Sequence, residues 1–280
     1  VLELEVLEHA GAARDEVDVA TPADWERIEE LARELGRWSQ VASAARVRAV
    51  YLAAEDPAAA LPGLQQAIEV ASAHGLREQA GWADYSRAEA LWLLDRCDEA
   101  LGAGFRALEV AERFAYERLA FRTFVILLAI AADRGDREIA DRWDRWWAVA
   151  EPHFPATFSP YAVVVHAGIA VWRRLARGEA PAEPDASVVD AIIPMINPHY
   201  LAAAESVIGV WADSGRADLV TAAAQRLAAI AADADATALI RTAAALARAH
   251  AGDAGAAREA AEMAASIPAP WWERRARSLA

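Results

Sequence analysis

Clustered carboxylates are where this 280-residue chain could most readily do chemistry. Asp136, Glu138, Asp141 and Asp144 crowd one stretch, and paired acids facing a cavity can work as general acid and base or hold a divalent cation. Their setting argues for a plainer role. Arg137, Arg142 and Arg145 are interleaved among them, and acids alternating with arginines at three- and four-residue spacing form a solvated, ion-paired helix face. Asp133, Asp136 and Asp141 straddle the breaker Arg134-Gly135-Asp136 instead of lining one helix, and there is no D-D-x-x-D run. A helical cavity holding Mg²⁺ between facing aspartates, as in isoprenoid enzymes, finds no support.

The remaining reactive residue types are equally dispersed. His9, His74, His153, His166, His199 and His250 include no pair at the i, i+4 spacing that sets two imidazoles on one metal. His166 lies within the apolar run from Tyr161 to Trp172 and is expected to face inward as a satisfied core histidine. Cys97 has no disulfide partner in the chain and is expected to pack as a small apolar group. All 28 basic residues are arginine, so a lysine-bearing phosphate loop, a Schiff base and a Ser/Lys dyad are excluded. The G-x-S-x-G, G-x-G-x-x-G and C-x-x-C patterns are missing as well. The residues assign no catalytic group, no cofactor and no metal.

Binding chemistry is better represented. There are 11 tryptophans, well above average usage. Trp143, Trp146 and Trp147 make one aromatic ridge at helical spacing, expected to fill the gap between bulky neighbouring hairpins. Trp82, Tyr85, Glu89 and Trp92 follow steps of three, four and three and share one helix face. Such a stripe can anchor a peptide, because Trp and Tyr bury large area at low entropic cost; core packing is the alternative.

The elements that must carry these residues are helices. About a quarter of the chain is Ala, the strongest helix former, and no alternating β-branched run is long enough for a sheet. Thr21-Pro22, Asp56-Pro57, Ser159-Pro160 and Asn197-Pro198 each set a side-chain acceptor before a proline, a helix-start signal, and Thr21 with Asp24 approximates a capping box. Ala60, Ala100 and Ala140 fall 40 residues apart, each opening a similar helical pattern, and Gly135 and Gly215 stand two such periods apart. A period of this size marks stacked helical hairpins.

Ala88, Leu91, the turn Asp95-Arg96-Cys97-Asp98-Glu99, Ala100, Leu101, Ala107 and Leu108 resemble the tetratricopeptide-like repeat superfamily, over most of residues 40 to 265. Asp84 stands where that family usually has an aromatic and Glu112 where it usually has a proline, and the spacing exceeds its ~34 residues. The stretch from Arg122-Thr123-Phe124 to Asp136, with Pro268-Ala269-Pro270-Trp271-Trp272, is similar to repeat regions of large bacterial transcriptional regulators and cyclase-linked sensors. The resemblance implies an all-α fold, a right-handed superhelix of about six stacked hairpins, whose first helices line a concave face. On that face it puts Trp82, Tyr85, Glu89, Trp92 and Arg122, with Val125, Trp172 and Glu205 at comparable positions in later units.

One body is expected over residues 1–280. It comprises N-terminal helices to 39, three regular repeats over 40–150, an irregular repeat with a Pro-rich loop over 151–196, and two further repeats with the start of another helix over 197–280. The start at Val1 and the uncapped end suggest a fragment of a longer protein. A formal net charge of −14 disfavours nucleic acid and anionic membranes as partners. With no spanning apolar run or signal peptide, the chain reads as cytoplasmic. The expected function is a non-catalytic scaffold that binds a protein segment or a small effector in a regulatory or signalling protein; the alternative is an all-α enzyme using acidic residues in a helical cavity.

Overall fold

The computed structural model describes residues 22–153, 160–193, 197–233, 236–267 and 269–280. Among them every regular element is helical. The 13 α-helices are α1 (Pro22–Glu34), α2 (Trp38–Ala53), α3 (Pro57–Ala73), α4 (Arg77–Leu93), α5 (Cys97–Phe114), α6 (Glu117–Arg134), α7 (Arg137–Ala150), α8 (Pro160–Ala176), α9 (Pro198–Asp213), α10 (Ala217–Ala231), α11 (Ala238–His250), α12 (Ala256–Ser266) and α13 (Pro270–Arg277). Thr21, Ser159, His9, Pro268 and the first 21 residues lie outside the described residues, as does the His153 side chain. No helix among the described residues is long and apolar enough to cross a membrane.

The helix boundaries follow from local chemistry. Asp56 accepts hydrogen bonds from the Ala58 and Ala59 amides, 3.0 Å each, with Pro57 in the first turn of α3, and Asp136 accepts from the Glu138 amide at 3.1 Å to start α7. Pro198 opens α9, but Asn197 makes no side-chain capping bond. Several stops share one device: the amide five residues on returns to a carbonyl of the last turn, as in Leu76 to Ala71 (2.8 Å), Tyr116 to Ala111 (2.9 Å), Asp136 to Ala131 (3.0 Å) and Arg216 to Trp211 (2.8 Å). The residue before that amide sits in the left-handed region. Glycine fills it at 75, 135 and 215, whereas Ala115 adopts φ 55° against its steric preference.

Contacts divide the chain into two units, residues up to Leu91 with Asp98–Thr123, and residues 92–97 with 124–280. In the first, α1 packs on α2 and α2 on α3 through Trp25, Ile28, Val41 and a series of buried alanines. Alternate helices also meet. Gln79 donates to Ser39 at 2.8 Å across 40 residues, and Gln66 donates to Glu29 at 3.3 Å across 37. These separations are those of hairpin-on-hairpin, repeat-like packing. Gly81 lies where a Cβ would meet Leu119 at 2.8 Å, so α4 and α6 approach closely.

In the second unit α9 is buried on every side, from Pro198 to Trp211, with α8, α10 and α11 packed around it. The unit is not a stack of nearest neighbours alone. Trp271 of α13 donates to Asp133, 138 residues earlier, at 3.1 Å and packs on Trp92 with ring centres 4.7 Å apart. Arg274 reaches Asp133 and Asp95 at 3.2 and 3.0 Å.

The tightest crossing is between α8 and α9. A Cβ added to Gly168 would stand 2.5 Å from Ala203 Cβ and 2.8 Å from its Cα, and Ala203 is itself fully buried. Gly168→Ala is expected to destabilise the protein by about 1–3 kcal/mol, the cost of overpacking, in urea denaturation. Combining it with Ala203→Gly should recover part of the loss; an unchanged midpoint in the single variant would show that the helices can separate freely.

Candidate functional site

The eight residues of the expected concave face fall into both units. Trp82, Tyr85, Glu89 and Arg122 belong to the first, and Trp92, Val125, Trp172 and Glu205 to the second. Six of them, Tyr85, Glu89, Trp92, Val125, Trp172 and Glu205, are buried, which assigns their side chains to packing instead of an open surface. Trp82 and Arg122 are half-buried. The shared helix face does bring Trp82 against Tyr85, edge to face at 5.8 Å, and Arg46 lies over the Trp82 ring at 5.8 Å.

The buried members of the second unit are tied by hydrogen bonds. Trp172 Nε1 donates to Ser206 Oγ at 3.0 Å. Glu205, 2% exposed, accepts from Arg275 Nε at 2.9 Å and lies 3.0 Å from His250 Nε2. Burial alone would push the Glu205 carboxyl up. Arg275 and His250 outweigh it and hold the group below the ordinary carboxylate value. This is a structural ion pair joining α9, α11 and α13.

The acids that crowd α7 pair with arginines, as expected, but chiefly across to the next helix. Arg177, just past α8, bonds Asp141 at 2.8 Å and also Asp144, which Arg173 of α8 meets as well; Arg177 holds the Asp141 carboxyl below its usual value. Cys97 is half-buried, and burial together with Asp95 pushes its thiol up, away from nucleophilic activation. Among the described residues no group of three or more His, Cys, Asp or Glu is arranged to hold a metal ion.

Each unit carries a cleft. The first, about 340 Å³, lies among α3, α4 and α5. Arg106 donates to Asp84 at 2.6 and 3.1 Å and Arg87 to Gln65 at 2.7 Å. Burial nevertheless raises the Asp84 carboxyl against the pull of Arg106. That bond to the next helix is how a carboxylate is held at this buried position.

The second cleft, about 520 Å³, opens in the second unit between α7, α8 and the Pro-rich segment. Its floor is apolar: Trp147, Val163, His166, Ala167 and Ala170. Trp147 is fixed from behind by Trp143, stacked at 5.2 Å, which meets Phe124 edge to face at 5.4 Å. The aromatic ridge therefore fills the interior with Trp143 and offers Trp147 to the cleft. His166 lies 4.9 Å from the Trp147 ring, and burial lowers its pKa to about 4 despite Glu151 nearby. It is neutral near pH 7.

The opposite wall runs from Ala182 to Val188. It has no helix of its own over residues 179–185, and side chains of the unit hold its carbonyls. Arg174 donates to Ala180 O at 2.6 Å and Trp211 Nε1 to Pro184 O at 3.0 Å, while Arg216 pairs with Glu183. Farther on, Tyr200 donates to Ala191 O and Arg226 to Ile192 O. Sequence reasoning singled out Trp147 and His166 for packing and the segment as a loop insertion. Charged residues beside prolines were the one available signal that this loop frames a cleft.

The chain matches no protein-family model, no curated protein and no solved structure.

Two substitutions test this electrostatic arrangement. Glu205→Gln is expected to cost about 1–3 kcal/mol in denaturant unfolding, because it removes the buried counter-charge of the partly exposed Arg275 and weakens its bonds. For His166, the unfolded chain takes up a proton near the ordinary value of 6.5 and the folded protein only near 4. Between these the unfolded state binds more protons, so stability falls as pH drops from about 6.5 towards about 4, by up to about 3 kcal/mol. His166→Gln should remove that component from the stability–pH curve; parallel curves would contradict a buried neutral imidazole.

Proposed function

We propose that the chain is a non-catalytic scaffold that binds a protein segment, and that it serves as the tetratricopeptide-like repeat region of a cytoplasmic signalling or transcription-regulating protein. The observation that carries this reading is the cleft of the second unit. It combines an apolar, partly aromatic floor on two packed helices with a few polar groups at its rim, the usual composition of a recognition site. A side chain of a partner would bury against Trp147 and the α8 alanines, while its backbone would run along the opening. The helical, repeat-like packing of each unit supplies the rigid support such a site needs.

The unit already performs the chemistry of peptide capture on its own chain. Residues 180–192 are held through their carbonyls by Arg174, Trp211, Tyr200 and Arg226, donors that read backbone and not sequence.

Selection of displayed random peptides on the immobilised protein tests the reading. Selected peptides should bind the parent at least about tenfold more tightly than an Ala170→Trp variant, in which the exposed Ala170 of the floor is replaced by a plug. Circular dichroism should show both proteins equally folded. No enrichment, or equal binding to the plugged variant, would overturn the proposal.

A further inference from the structure

The rim of the second-unit cleft is acidic. Glu151 stands at the end of α7, and Glu183 and Asp185 stand on the opposite wall. Among the described residues no arginine or lysine lines the cleft, and His166 in its floor is neutral near pH 7. Arg216 offsets Glu183, but Glu151 and Asp185 keep the rim net negative. Asp185 is ionised, its carboxyl lowered by bonds from Ser187, and it is anchored by accepting from the Ser187 amide at 2.8 Å.

An aromatic ring beneath carboxylates is the arrangement that recognises a cation on an apolar stem. The stem buries on the floor, the charged head meets the π-face or edge and is neutralised at the rim. An anionic side chain would be repelled there, and a purely apolar one would leave the net negative charge of the rim in place.

Resting on the scaffold reading, we propose that this cleft takes a cationic side chain, arginine or lysine, of an extended partner peptide, its stem over Trp147, Ala167 and Ala170 and its head among Glu151, Glu183 and Asp185. The geometry also assigns positioning roles outside the cleft. Trp211 and Arg216 do not line it, yet they fix the acidic wall through Pro184 and Glu183. The cleft is complete only while that wall is docked.

Four fluorescently labelled peptide pools test this, identical in length and random except at a central position fixed as Arg, Lys, Leu or Glu, titrated against the intact protein by anisotropy. The Arg and Lys pools should bind at least about tenfold more tightly than the Leu pool, and the Glu pool weakest. Glu151→Gln, a change at an exposed residue, should lower that preference without altering thermal stability, and raised salt should do the same. Trp211→Phe should weaken Arg-pool binding and speed proteolysis within residues 179–187.

If the Leu pool binds as well as the Arg pool and both are lost in Ala170→Trp, the cationic preference is overturned while the scaffold reading stands. Binding by none of the pools overturns both. An unchanged Arg-to-Leu ratio in Glu151→Gln, at every salt concentration, overturns the rim assignment.

Discussion

A helix enclosed on every side has no face on which to leave a polar group in water, and α9 carries His199, Glu205 and Ser206 among the polar groups it takes into the interior of the second unit. Burying them unmatched would cost several kcal/mol. Each is satisfied by a different contact: His199 by Tyr161 at 2.5 Å, Ser206 by Trp172, and Glu205 by His250 and Arg275. Because these bonds are directional, they determine which turn of α8, α11 and α13 lies against which turn of α9, as apolar contact alone would not. The close approach at Gly168 and Ala203 has the same consequence. It leaves one register for the α8–α9 pair, and α8 in turn carries the floor of the cleft.

Arginine as the sole basic residue fits this mode of assembly. A guanidinium is planar, always charged and able to bond two acceptors at once. Arg177 bridges Asp141 and Asp144, Arg106 donates twice to Asp84, and Arg275 reaches both Glu205 oxygens. In each case the cation comes from outside the helix that carries the acid. A lysine ammonium would provide a point charge without that geometry. The acidic excess of the chain is consequently left at surfaces and rims, including that of the second cleft.

The candidate site was legible only in fragments. The spacing of Trp143, Trp146 and Trp147 marks a ridge, and the apolar surroundings of His166 mark an inward histidine. Nothing in either pattern says that Trp143 is enclosed while Trp147 borders a cavity, since both share one helix face. The opposing wall was less legible still: its position depends on Trp211 and Arg174, which lie on other elements and donate to carbonyls that any sequence would provide, and on Arg216, which pairs with the Glu183 carboxylate.

Local chemistry written in the chain determined the helices, their alanine-rich packing faces and most of their ends, because capping acids, first-turn prolines and left-handed stop positions act within a few residues. The choice between core and surface was tertiary. The stripe Trp82, Tyr85, Glu89, Trp92 is a true helix face, but α4 is covered at Ala83, Ala88, Ala90 and Leu93 as well as along that stripe. Helical periodicity says which residues lie together. It cannot say how many sides of a helix other elements will cover, because that depends on contacts between residues far apart in the sequence.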